Sequence, residues 1–90
     1  MARYYFHSRD ANDEVLDPDG FECSDLKAVI ATALNGARDI IAGGARNGEI
    51  DLSVRIDVEN EAGRIVHSLA FRDAVRITGC ERTVGDAIAA

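Results

Sequence analysis

The side chains of this 90-residue chain that could do chemistry are few and scattered. His7 and His67 are its imidazoles, and Cys23 and Cys80 are its thiols. Zinc takes three or four nitrogen or sulfur ligands, commonly in closely spaced pairs, and these four residues have no such spacing and no C-x-x-C. Asp17-x-Asp19-Gly20 resembles part of a calcium loop. An EF-hand with Gly20 at its sixth position would start at Val15 and close at Leu26, and both positions lack the required carboxylate. Cys23 lies beside a helix start, but Glu22 and Asp25 work against a nucleophilic thiolate there. The chain has no G-x-S-x-G, no phosphate-cradling glycine loop and no H-E-x-x-H. The expectation is a protein with no catalytic residues, no metal ligands and no cofactor.

Charge is distributed unevenly. Net charge is −6, and the segment from Asp10 to Asp25 holds seven acids and no base, leaving the rest of the chain near balance. Such a surface repels phosphate backbones at long range, so nucleic acid is a disfavoured partner. The seven acids are expected to repel one another, so that neutralising Asp13 and Asp17 leaves stability unchanged or slightly raised. No apolar run reaches the roughly 18 residues of a membrane span. The N-terminus, Met1-Ala2-Arg3-Tyr4-Tyr5-Phe6-His7, meets polar residues too early to hold a secretory apolar region. Two reduced cysteines and a cytoplasmic location are expected.

The elements that must position these residues follow from periodicity. Arg3 to Ser8 reads as a first strand, with Tyr4 and Phe6 on one face and Tyr5 and His7 on the other. Glu14 to Leu16 reads as a short edge strand, followed by a turn at Asp17-Pro18-Asp19-Gly20. Ser24 is placed as the N-cap of a long helix. Leu26, Val29, Ile30, Ala33, Leu34, Ala37, Ile40 and Ile41 fall within an arc of about 140°. The helix is expected to run to Asn47, with Gly48 as its left-handed cap.

Asp51 to Glu59 alternates strictly, putting Leu52, Val54, Ile56 and Val58 on one face. A four-residue loop at Asn60-Glu61-Ala62-Gly63 sets Glu59 opposite Arg64, so that Ile65, His67, Leu69 and Phe71 oppose Val58, Ile56, Val54 and Leu52. Phe71-Arg72-Asp73 reads as a corner, and Ala74 to Ile77 as a last short strand or turn. The sum is a two-layer α+β domain over 1–78: one long helix on a small, mostly antiparallel sheet in ββαββ order, with room for a short extra strand. Residues 79–90 read as a small-residue tail.

Arg3-Tyr4-Tyr5-Phe6-His7, Asp17-Pro18-Asp19-Gly20, the central helix, Asp57-Val58-Glu59-Asn60-Glu61-Ala62-Gly63-Arg64 and Phe71-Arg72-Asp73-Ala74-Val75 together resemble a family of small bacterial proteins. That family is known as a domain of unknown function, and its members open with an R-Y-[YF]-F-H-like strand. The resemblance spans about Arg3 to Ile77. It implies a shared frame but no catalytic or binding residues, since the motifs are strand, turn and corner motifs. Ala42-Gly43-Gly44-Ala45 departs from the family's acidic helix end.

A single helix shields one sheet face, so the other is left for solvent or a partner. Tyr5, His7, Arg55 and Ser68 are the candidate interaction residues there, beside Arg3, Ser53, Val66 and Ala70. The expected function is a non-catalytic cytoplasmic module for protein interaction or self-association, as a weak homodimer, with Ala28, Ala31 and Ala42 of the helix as a competing surface. The alternative is a small-ligand or nucleic-acid binder using the helix-free face, where arginine and aromatic groups could stack on bases.

Overall fold

A computed structural model describes residues 1–79. The chain order is β1 (Ala2–Arg9), β2 (Glu14–Val15), β3 (Phe21–Cys23), α1 (Leu26–Arg46), β4 (Arg55–Glu59), β5 (Ile65–Ala70) and α2 (Phe71–Ala74). One long helix packs on a five-stranded antiparallel sheet, so the α+β class holds, with β3 as the extra strand. The aromatic β1 is the hub. Its Tyr5–Arg9 half pairs with β4, Ala2–Tyr4 pairs with β3, and Ser8 and Arg9 also pair with β2. β5 pairs with β4 and forms the outer edge. Cys80 and the expected tail beyond Gly79 lie outside the described residues.

The helix N-cap is Asp25 rather than Ser24. Asp25 is extended at φ −160, and its carboxylate accepts the Ala28 N–H at 2.8 Å. A carboxylate at this position both satisfies an orphan donor and meets the positive end of the helix dipole. At the other end, Gly48 N–H donates to the Ala45 carbonyl and Glu49 N–H to the Gly44 carbonyl, which reverses the chain. That return is tight: a Cβ on Gly44 would lie 2.6 Å from the Glu49 oxygen, so this glycine is set by packing and not by helix propensity.

Of the apolar stripe on α1, Val29, Ala33 and Ala37 are fully buried, and Leu34 and Ile41 pack at the margin of the core. Leu26, Ile30 and Ile40 stay 51, 42 and 50% exposed. The buried residues of α1 all lie on the expected face, but that face is covered only in part. Twenty-one helical residues span about 31 Å, whereas a strand of five or six covers about 17–20 Å. Leu26 and Ile40 lie toward the two ends of the stripe, whereas Ile30, between the buried Val29 and Ala33 in sequence, lies on its flank.

The strand before the hairpin is shorter than its alternation suggests. Asp51 Oδ1 accepts the Ser53 N–H and hydroxyl at 2.9 and 2.6 Å, folding 51–53 into a turn, and β4 begins at Arg55. The hairpin register also differs. Asn60 accepts the Ala62 and Arg64 N–H groups through its side chain, and its own N–H donates to the Arg64 carbonyl. This closes a five-residue loop and pairs Glu59 with Ile65, with a bulge between Val58 and Glu59. Beyond the bulge, Val58 faces His67 and Ile56 faces Leu69, two residues away from the expected partners. Because the displacement is even, apolar faces still meet.

Ala70 pairs with Arg55, the first residue of β4, so β5 has no ladder to extend along. The expected corner is the single helical turn α2, and of the strand or turn expected over Ala74 to Ile77 no strand forms. Phe71 N–H donates to the Val54 carbonyl at 2.9 Å, and Arg38 Nε donates to the Ala74 carbonyl at 2.8 Å. Phe71 and Ala74 join Cys23, Val29, Ala33, Ala37, Ile56 and Val58 in the buried core.

Candidate functional site

Strand alternation and register place Tyr5, His7 and Arg9 of β1, Arg55, Asp57 and Glu59 of β4, and Ser68 of β5 on the sheet face away from α1. The four residues expected there, Tyr5, His7, Arg55 and Ser68, do share this face. What joins three of the strands is a residue the sequence reading did not single out. Asp57 lies opposite both His7 and Ser68 in the ladder and is only 3% exposed. Ser68 Oγ donates to its Oδ1 at 2.8 Å, Arg9 Nη1 donates to Oδ2 at 3.0 Å, and Arg55 Nε lies 3.1 and 3.2 Å from the two oxygens.

Arg9 carries the network outward. Its Nε donates to Glu14 Oε2 at 2.9 Å and its Nη2 to Glu59 Oε2 at 3.4 Å. These carboxylates, Glu14 first and Asp57 next, hold the guanidinium in its charged form far above any physiological pH. His7, 8% exposed, accepts the Asp17 N–H at its Nδ1 (3.0 Å). Its proton therefore sits on Nε2, 3.7 Å from Glu59 Oε1. The His7 ring stacks on Tyr5 at 11° between planes and 6.4 Å between centroids.

The signal for Asp57 was present in Arg55-x-Asp57-x-Glu59, charges at every second position of a strand. Its cross-strand partners depend on register, which those residues alone do not encode. Other expectations for this face are corrected. Ser53 sits in the turn before β4. Val66, next to the bulge, packs against the core. Arg3, by contrast, keeps the parity of Tyr5 on β1, and its guanidinium reaches toward β3, where it donates to the Asp19 carbonyl at 2.7 Å and to Glu22 at 3.0 Å.

Burial by itself would raise the Asp57 carboxyl, but the bonds from Ser68, Arg9 and Arg55 outweigh it and hold the group below its usual 3.8. A carboxyl depressed in the folded state contributes stability above its unfolded value, and that stability is lost as pH falls through the folded value. Between about pH 5 and pH 2, the urea midpoint should fall less steeply for Asp57→Asn than for the parent, from a lower starting point at neutral pH. Parallel curves for the two proteins would remove Asp57 from the acid response.

The acidic segment is not a set of free, mutually repelling charges. Asp10 Oδ1 accepts the Asn12 and Asp13 N–H groups. Asp17 Oδ2 accepts the Phe6 N–H at 3.2 Å, while its Oδ1 accepts from Asp19 and Gly20. Gly20 is required in this turn: it sits at φ +70, and a Cβ there would lie 2.7 Å from the Tyr4 oxygen. The expectation that neutralising Asp13 and Asp17 together leaves stability unchanged or slightly raised therefore changes sign at Asp17. Asp17→Ala orphans three N–H groups and should lower unfolding free energy by about 1–3 kcal/mol. An unchanged urea midpoint would show that water replaces all three bonds. Among the described residues, no group of three His, Cys, Asp or Glu side chains is placed to hold a metal ion. Cys23 is a buried free thiol in the core.

The fold and this face define a small two-layer α+β domain with a charged network on its helix-free side. The chain belongs to the family described as a domain of unknown function (DUF6894), which it matches over residues 3–72. No curated protein and no solved structure matches it. No helix among the described residues is long and apolar enough to cross a membrane.

Proposed function

We propose that this domain is a non-catalytic cytoplasmic interaction module that joins a second copy of itself edge to edge through β5. The observation that carries this reading is the character of that edge. β5 is six residues long, ends the sheet, and contains no charge and no proline from Ile65 to Ala70. Protected edges are short, charged, kinked or covered. The β1 ladder is protected in this way, because β2 and β3 hold two and three residues and flank a proline turn rich in acids. Among the described residues, no main-chain bond from outside the sheet reaches β5. An antiparallel copy would satisfy the open row of N–H and carbonyl groups and continue the sheet across a two-fold axis. Ile65, 51% exposed, would be covered in the process. A buried free thiol at Cys23 suits a reducing compartment.

The internal pairing of the face weighs against the alternative, a small-ligand or nucleic-acid binder. Arg9 and Arg55 already serve Asp57, and among the described residues no buried side-chain polar atom lacks a partner. Tyr5, His7, Arg55 and Ser68 then act in this reading as a rigid polar backing to the paired edges. Sedimentation across micromolar concentrations tests it: a monomer–dimer equilibrium is expected, abolished by Ile65→Lys with the circular dichroism spectrum retained. A parent protein that is monomeric throughout overturns the proposal. So does a dimer indifferent to Ile65→Lys but lost with Tyr5→Ala or Arg55→Glu, which places the contact on the sheet face. A salt-dependent shift with RNA and no dimer favours the alternative.

A further inference from the structure

A groove of ≈ 290 Å³ lies on another side of the molecule, between β2, the start of β4 and the C-terminal half of α1. Its apolar wall is formed by Val15, Ile40 and Val54, and its rim by Asp10, Asp13 and Glu14. Val15 and Ile40 are 65 and 50% exposed, so two branched side chains face water at one site. The two-residue β2 leaves the space between it and α1 open.

The rim has an excess of negative charge. Arg9 also borders the groove, but its donors are committed to Glu14, Asp57 and Glu59. Asp10 and Asp13 each use one carboxylate oxygen, Oδ1, to hold neighbouring N–H groups of the turn. Their other oxygens form no hydrogen bond with the described side chains. An apolar wall under a carboxylate rim is complementary to a segment that alternates aliphatic and cationic side chains.

We propose that this groove binds a short basic, aliphatic segment of a partner protein, with an aliphatic side chain against Ile40 and Val15 and a lysine or arginine beside Asp10 and Asp13. This surface is separate from β5, and either proposal can fail without the other. The probe is a fluorescein-labelled heptapeptide of alternating lysine and leucine, compared with an all-lysine heptapeptide and an alternating glutamate–leucine one, titrated by anisotropy against the full chain. The lysine–leucine peptide should bind at least about tenfold more tightly than either control. Ile40→Ala and Asp13→Asn, both confirmed folded by circular dichroism, should each weaken it several-fold, and amide shifts on binding should centre on Val15, Ile40 and Val54. No binding overturns the proposal. Equal binding of the all-lysine peptide reduces it to non-specific attraction by the acidic segment. Binding that is unchanged by Ile40→Ala but lost with Ile65→Lys assigns the peptide to the β5 edge instead.

Discussion

Phe71→Ala is expected to lower the free energy of unfolding by about 3–5 kcal/mol. Phe71 is 1% exposed and heads the largest fully buried side chains, closing the core from a single helical turn after the last strand. Truncation leaves a void that its neighbours can fill only in part. Its backbone is fixed by the Phe71 N–H to Val54 bond, and α1 is tied to the same turn through Arg38 and the Ala74 carbonyl. A domain of this size has a stability of only about 5–10 kcal/mol, so much of the cooperative transition should be lost. Urea denaturation measures it, and a change below about 1 kcal/mol would mean that the α2 turn docks loosely.

Ile56→Ala should cost about 2–5 kcal/mol. Ile56 is 3% exposed, the second residue of β4, between Ser8 of β1 and Leu69 of β5 and beneath the helix. Its Cδ1 lies 3.9 Å from where a Cβ on Gly36 would be, so helix and strand approach closely at this point. The loss should appear mainly as a lower denaturation midpoint with little change in slope. A loss below half a kcal/mol would show that this strand face is not the one covered by α1.

Several features were legible in the chain itself. The 3.6-residue period over Leu26 to Ile41 defined one helix and its inward face, and the two-residue period around Ile56 defined a strand and its inward face. Leu34 of the helix stripe and Val54, Ile56 and Leu69 of the matched strand faces do meet in one core. Ile40, on the same helix stripe, is half exposed. Whether a residue on the correct face is covered depends on how far the opposing layer extends, which helix periodicity does not record. Membership of a family of unknown function, expected from a resemblance, also stands, over residues 3–72.

The charged network shows most clearly what sequence could not supply. Tyr5, His7, Arg55 and Ser68 could be assigned to one face by parity alone, because alternation fixes the side of a sheet whatever the register. Asp57 as the common partner of Arg9, Arg55 and Ser68 needed the register of two strand pairs, one reaching back nearly fifty residues. The Asn60 side chain, by accepting two loop N–H groups, moved the hairpin by two residues from the expected pairing. Likewise, the seven acids from Asp10 to Asp25 read as charge, whereas in the fold Asp10, Asp17 and Asp25 act as hydrogen-bond acceptors for turns and a helix end. Local periodicity and residue chemistry determined which elements form and which way they face. Contacts between residues distant in sequence decided what each polar group does, because a carboxylate takes its role from the donor that tertiary packing places beside it.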